Sequence, residues 1–166
     1  MDSILIRTLN GEKTNRPPVW FMRQAGRILP NYMQLKELYT FHELMNDKDL
    51  ASKVTLLPIQ DLNVDAAILF SDILVIPHAL GLDVEFKKTG PIFNNPLNFN
   101  SKAADLEFDS SKLNYIYNNI KQVQSDKNQN TPLIGFCGGP LTVFLFMFKR
   151  EAVSYTHLRA HETGWY

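Results

Sequence analysis

Arg23 and Arg27 stand at i and i+4 in the stretch PPVWFMRQAGR, directly behind a short apolar run. Guanidinium groups at that spacing repel each other unless solvent or an anion lies between them. The stretch therefore reads either as a solvated basic turn or as an anion site, with Gln24 beside the arginines and Gly26 permitting a sharp backbone turn. Asp72, in LFSDIL with Ser71, is acceptor-only when ionised; it could equally cap a helix or close a turn. GFCGGP, residues 135–140, is a Gly-rich turn that lets backbone approach a ligand closely. It lacks the lysine and hydroxyl residue of a phosphate loop and the G-x-G-x-x-G spacing of a dinucleotide site, so no nucleotide is indicated.

Other chemically capable residues read more simply. His42 and His78 have no spaced partner and read as surface or core histidines. Cys137, with no histidine beside it, reads as a small buried apolar residue, and Trp20 with Phe21 as core. His157 and His161 share the i, i+4 spacing of a metal pair, but no third ligand or adjacent glutamate accompanies them.

The elements that must position these residues alternate. Pro17 and Pro18 bar a helix, and VWFM behind them reads as a first buried strand. Pro30 opens a helix over NYMQLKELY, with Tyr32, Leu35, Leu38 and Tyr39 at helical spacing. Asp47 or Asp49 caps LASKVTLLPIQDL, whose stripe is Leu50, Val54, Leu57 and Ile59 and which Pro58 should kink or end. DAAILF is a continuous apolar run, as a strand covered on both faces requires. DVEF and GPIF are extended pieces around a Gly90-Pro91 turn. SSKLNYIYNNIKQVQ is an amphipathic helix with a serine cap and Leu113, Ile116, Ile120 and Val123 on one side. PLIGFCG is a third buried strand, and LTVFLFMFK begins a helix. Strand then helix, repeated, argues for an α/β fold with a parallel sheet. In such folds ligands gather at the carboxyl ends of the strands, where Arg23 to Arg27, Asp72 and GFCGGP all fall.

The 17 basic and 17 acidic residues cancel, which speaks against nucleic acid or an anionic membrane surface as a partner, so an anion would be met by a local cluster. The start carries no secretory pattern, no run reaches the ~20 apolar residues of a membrane span, and the single cysteine suits a reducing, cytoplasmic compartment. From Val153 onward, SYTHLRAHETGWY and the residue before it show no sustained period and resemble a translated adapter read-through. Residues 153–166 are therefore set aside as a non-native tail. With 166 residues against the ~250 of a closed eight-stranded α/β barrel, the chain reads as part of one.

RPPVWFMRQAGRILPNYMQLK, DAAILFSDILVIPHALGLDVEF, GPIF and PLIGFCGGPLT resemble the uroporphyrinogen decarboxylase family in order and spacing, from about residue 3 to Phe148. The resemblance implies an α/β fold, the first strands and helices of a (β/α)8 barrel, with residues 1–152 as the N-terminal part of a single barrel domain. It also implies a homodimer at full length and no metal or organic cofactor. Its substrate, uroporphyrinogen, carries acetate and propionate arms around four pyrroles, and loss of carbon dioxide from each acetate gives coproporphyrinogen. Residue by residue, the resemblance implies that Arg23, Gln24, Ala25, Gly26, Arg27, Asp72 and Phe146 bind substrate and that Asp72 and Arg23 are catalytic. Phe146 stands where the family usually has a tyrosine, so that hydroxyl is missing here, and Ile28 replaces a common aromatic.

The chemistry is coherent with those residue types. Arginines bind carboxylate arms through charge-assisted, bidentate hydrogen bonds, which relieves their repulsion. A pyrrole protonated at carbon accepts the electrons that carbon dioxide leaves behind, so no pyridoxal-type electron sink is required. An ionised Asp72 accepts from convergent pyrrole N–H groups and stabilises the cationic ring. Arg23 is one source of the proton, although a pKa above ~12 makes it a reluctant acid; a substrate carboxyl or bound water are others. Two alternatives remain open: a corrinoid-linked methyltransferase relative, which would need thiolate zinc ligands that a single cysteine cannot supply, and a noncatalytic anion-binding domain.

Overall fold

The structure, a computed structural model, describes residues 3–21, 28–87 and 90–148. The chain divides into two compact units, one within Met1–Asp72 and Leu113–Cys137, the other within Ile73–Lys112 and Gly138–Tyr166. The 153–166 segment, with His157 and His161, lies outside the described residues.

The first unit is built on helix α4 (Lys48–Leu62) against α6 (Asn114–Asp126). Asp47 caps α4, its carboxylate accepting from the Asp49 and Leu50 N–H groups at 2.9 Å. Pro58 does not end the helix, which continues to Leu62 with Asn63 closing it in the left-handed region at φ 50°. Ala51, Val54, Leu57 and Pro58 are buried, so the proline ring is held as a core side chain. Helix α6 buries Val123 and Asn119; Asn119 Nδ2 donates to the Met45 carbonyl at 2.7 Å. The expected serine cap is not used. A 3-10 turn over Ser110–Leu113 precedes α6, and Asp109 accepts from the Ser111 N–H at 2.9 Å. Three shorter helices complete the helical part: α1 (Ile4–Leu9), α2 (Pro30–Leu38) and α3 (Phe41–Asn46). Proline opens α2, and α3 carries a Thr40/Glu43 capping box.

Strand β1 (Ala67–Ile68) pairs in parallel with β4 (Leu133–Ile134), Ala67 opposite Leu133 and Ile68 opposite Ile134. Bonds from the Ala67 N–H to the Pro132 carbonyl and from the Leu69 N–H to the Ile134 carbonyl extend the ladder. These are the second and third strands expected from the sequence, each cut to two residues. The described part of the expected first strand is not regular: residues 17–21 form no strand, and Met22 lies outside the described residues. Val19 is nevertheless fastened to the entrance of β1. Its carbonyl accepts from the Asp65 N–H at 2.9 Å, its N–H donates to Asp65 Oδ2, and Arg16 grips the same carboxylate with two bonds of 2.7 Å. Trp20 and Phe21 are not core: Phe21 is 50% exposed. A carboxylate clamp holds the segment where a strand ladder was expected.

In the second unit, β2 (Val84–Lys87) and β3 (Gly90–Phe93) form an antiparallel hairpin, with Gly90 and Pro91 opening β3 rather than making the turn. Helices α5 (Val75–Ala79) and α7 (Pro140–Met147) flank it in sequence. Leu74, Leu82, Phe93, Val143, Phe146 and Met147 make its hydrophobic core.

Candidate active site

Because β1 and β4 are parallel neighbours in register, the segments that leave their carboxyl ends depart from the same end of the sheet. Those segments are Leu69–Asp72 and Gly135–Cys137, two of the three features expected there. Phe70 fixes the first. Its N–H leaves the ladder to donate to Thr55 Oγ1 of α4 at 3.0 Å, while that hydroxyl donates to the Ala51 carbonyl at 2.7 Å. Its ring packs edge-on against Tyr32 and Phe41, at centroid separations of 6.1 and 5.3 Å. Two residues later comes Asp72, half-buried, following half-buried Ser71.

Tyr115, on the first turn of α6, shares this environment. Burial first, and the negative charge of Asp72 second, push its phenol up to about 12. A phenol so placed stays protonated and remains a hydrogen-bond donor across the physiological range, beside a carboxylate that is acceptor-only when ionised.

Neither Thr55 nor Tyr115 was singled out from the sequence. Thr55 is one residue beyond Val54 of the apolar stripe, where a threonine on a helix reads as ordinary, and Tyr115 lies between Leu113 and Ile116, where it reads as packing. Only the fold sets them beside β1 and Asp72. On the other loop, Gly135, Phe136 and Cys137 are exposed, so Cys137 is not the buried residue expected.

Arg23, Gln24, Ala25, Gly26 and Arg27 lie outside the described residues. Phe146 belongs to the second unit, 5% exposed within its apolar core. Among the described residues no group of three or more His, Cys, Asp or Glu side chains is placed to hold a metal, and no helix is long and apolar enough to cross a membrane.

Residues 2–162 match the family described as uroporphyrinogen decarboxylase (URO-D). A uroporphyrinogen decarboxylase of Christiangramia forsetii is 42% identical over 153 residues, 90% of this chain and 45% of its own length. One from Campylobacter jejuni is 46% identical over 136 residues, 80% of this chain and 40% of its own. The chain thus spans a little under half the length of these curated relatives. Among solved structures, a methyltransferase from Methanosarcina mazei superposes with a TM-score of 0.63 at 19% identity, over 89% of this chain and 45% of that one. At that identity the likeness concerns the fold. With parallel strands joined through helices and the family's motifs in order, the fold is α/β, the first strands and helices of a (β/α)8 barrel, and the chain belongs to the uroporphyrinogen decarboxylase family.

Proposed function

We propose that this chain is the N-terminal part of a uroporphyrinogen decarboxylase, residues 1–152 contributing to one barrel domain that removes carbon dioxide from the acetate arms of uroporphyrinogen. Membership of the family carries the reading, and the departure of the Leu69–Asp72 and Gly135–Cys137 segments from the same end of the β1–β4 pair supports it. The pyrrole that bears the acetate arm is protonated at a ring carbon; the bond between the arm's methylene and its carboxylate breaks, its electron pair entering the cationic ring as carbon dioxide leaves. A second proton then completes the methyl group and the first leaves the ring carbon, which restores the pyrrole. Asp72 receives the pyrrole N–H groups and stabilises the cation as it forms. Arg23 and Arg27 clamp carboxylate arms, with Gln24, Ala25 and Gly26 forming the turn that carries them, and Arg23 also serves in catalysis. Phe146 takes part as an apolar packing residue rather than as a hydrogen-bonding group. The reaction is cytoplasmic, and the full-length enzyme is a homodimer.

The test uses the chain completed with the further length of the Christiangramia forsetii relative. Asp72→Asn keeps size and one acceptor but loses the charge, so kcat is expected to fall about 100-fold or more while KM changes little. A variant that raises KM alone would make Asp72 a positioning residue and overturn its electrostatic role.

A further inference from the structure

Helix α7 is apolar on every side, and a helix of that kind is stable only when covered all round. Its Val143, Phe146 and Met147 face the core of the second unit. Leu141 and Phe144 stand on another side, 67% and 50% exposed. With Phe148, seven residues on from Leu141, they make an i, i+3, i+7 row. Phe148 packs on Phe144 at 4.7 Å between ring centroids and on Phe99, itself fully exposed, at 6.1 Å. The row therefore continues from the helix onto the preceding loop as one apolar strip, within a single unit. No lysine, arginine, aspartate or glutamate falls in α7, so nothing in the helix would select a nucleic acid or a charged peptide.

We propose that the Leu141, Phe144, Phe148 and Phe99 strip is the docking surface for the polypeptide that makes up the further length of this family's domain, and that it binds this partner when the two are supplied as separate chains. The matched relatives are more than twice as long as the aligned part, so each carries a further stretch of polypeptide of the same family as an occupant. A strip of i, i+3, i+7 anchors suits a neighbouring helix packed along it. The proposal rests on membership of the family and is independent of the reaction assigned above.

To test it, the 166-residue chain is co-expressed with the part of the Christiangramia forsetii relative that its alignment leaves uncovered, and the pair is purified through a tag on that segment. The expected result is a one-to-one complex by light scattering. Phe144→Asp should weaken it about 30-fold or more, as loss of a central aromatic anchor does, and Phe144→Leu should largely retain it. Circular dichroism and thermal melting of the chain alone establish that both variants fold. Failure to recover any complex, or a chain that self-associates through Phe144 and ignores the segment, overturns the proposal. Binding with no turnover would leave it standing and count against the decarboxylase reading instead.

Discussion

Thr55 and Asp65 show how single side chains set the entrance and exit of β1. Thr55→Val is nearly isosteric but removes the acceptor of the buried Phe70 N–H, so it should cost about 1–3 kcal/mol in urea unfolding. Thr55→Ser keeps the hydroxyl and loses a methyl group, a cost of roughly 1 kcal/mol. A valine variant no less stable than the serine variant would mean that the hydroxyl does not hold the approach to Asp72. Asp65 works at the other end, where bonds from Arg16, followed by the Val19 N–H, hold its carboxyl below the ordinary 3.8 against the opposing effect of burial. A depressed folded pKa contributes stability that is fully present above 3.8 and is lost as pH falls through the folded value. Asp65→Asn should therefore lower the melting temperature at pH 7 and flatten its decline below pH 4, measured by melts from pH 7 to pH 2.

At the scale of elements, helices α2, α4 and α6 were legible from their apolar periods, α2 and α4 also from an identifiable start, a proline and an aspartate, whereas the serine cap expected of α6 is not used; the β2–β3 hairpin was legible from its extended pieces. The first strand was misread for a physical reason: VWFM has the composition of a buried strand, but Asp65 and Arg16, 49 positions apart, anchor the segment through side chains. A pairing that distant has no local pattern. Asp72 and the Gly-rich loop were readable as strand-end features, whereas Thr55 and Tyr115 gain their significance only from the packing of α4 and α6. The loop between β4 and α7 carries a further constraint. A Cβ on Gly138 would collide with Val143 Cγ2 and lie 3.1 Å from the Ile73 Cβ. Both neighbours are β-branched and stiff, so Gly138→Ala should destabilise the chain by about 1–3 kcal/mol. Gly135→Ala, with nothing within 4 Å of the added atom, is the control and should be near neutral. Equal melting temperatures for the two variants would remove close packing as the reason for glycine at 138.

For the molecule as a whole, each unit leaves one apolar or unpaired surface uncovered among the described residues. Among the described residues β4 pairs only with β1, which leaves its other edge without a strand, and α7 exposes an apolar row. In a parallel α/β barrel the ligand site is assembled from loops at the ends of all the strands, and this chain spans 45% of the Christiangramia forsetii relative. The substrate proposed above, with carboxylate arms around four pyrroles, needs contacts on every side to be held in a reactive pose, and misplacement by even ~1 Å can cost ~100-fold in rate. The chain alone should therefore give no uroporphyrinogen turnover above a buffer blank, whereas the chain completed with the relative's further length should be active. The same completion should raise the melting temperature, because it covers apolar surface that is otherwise in contact with water. Turnover by the chain alone near that of a full-length relative would show that the loops following Val19, β1 and β4 suffice to bind and activate the substrate.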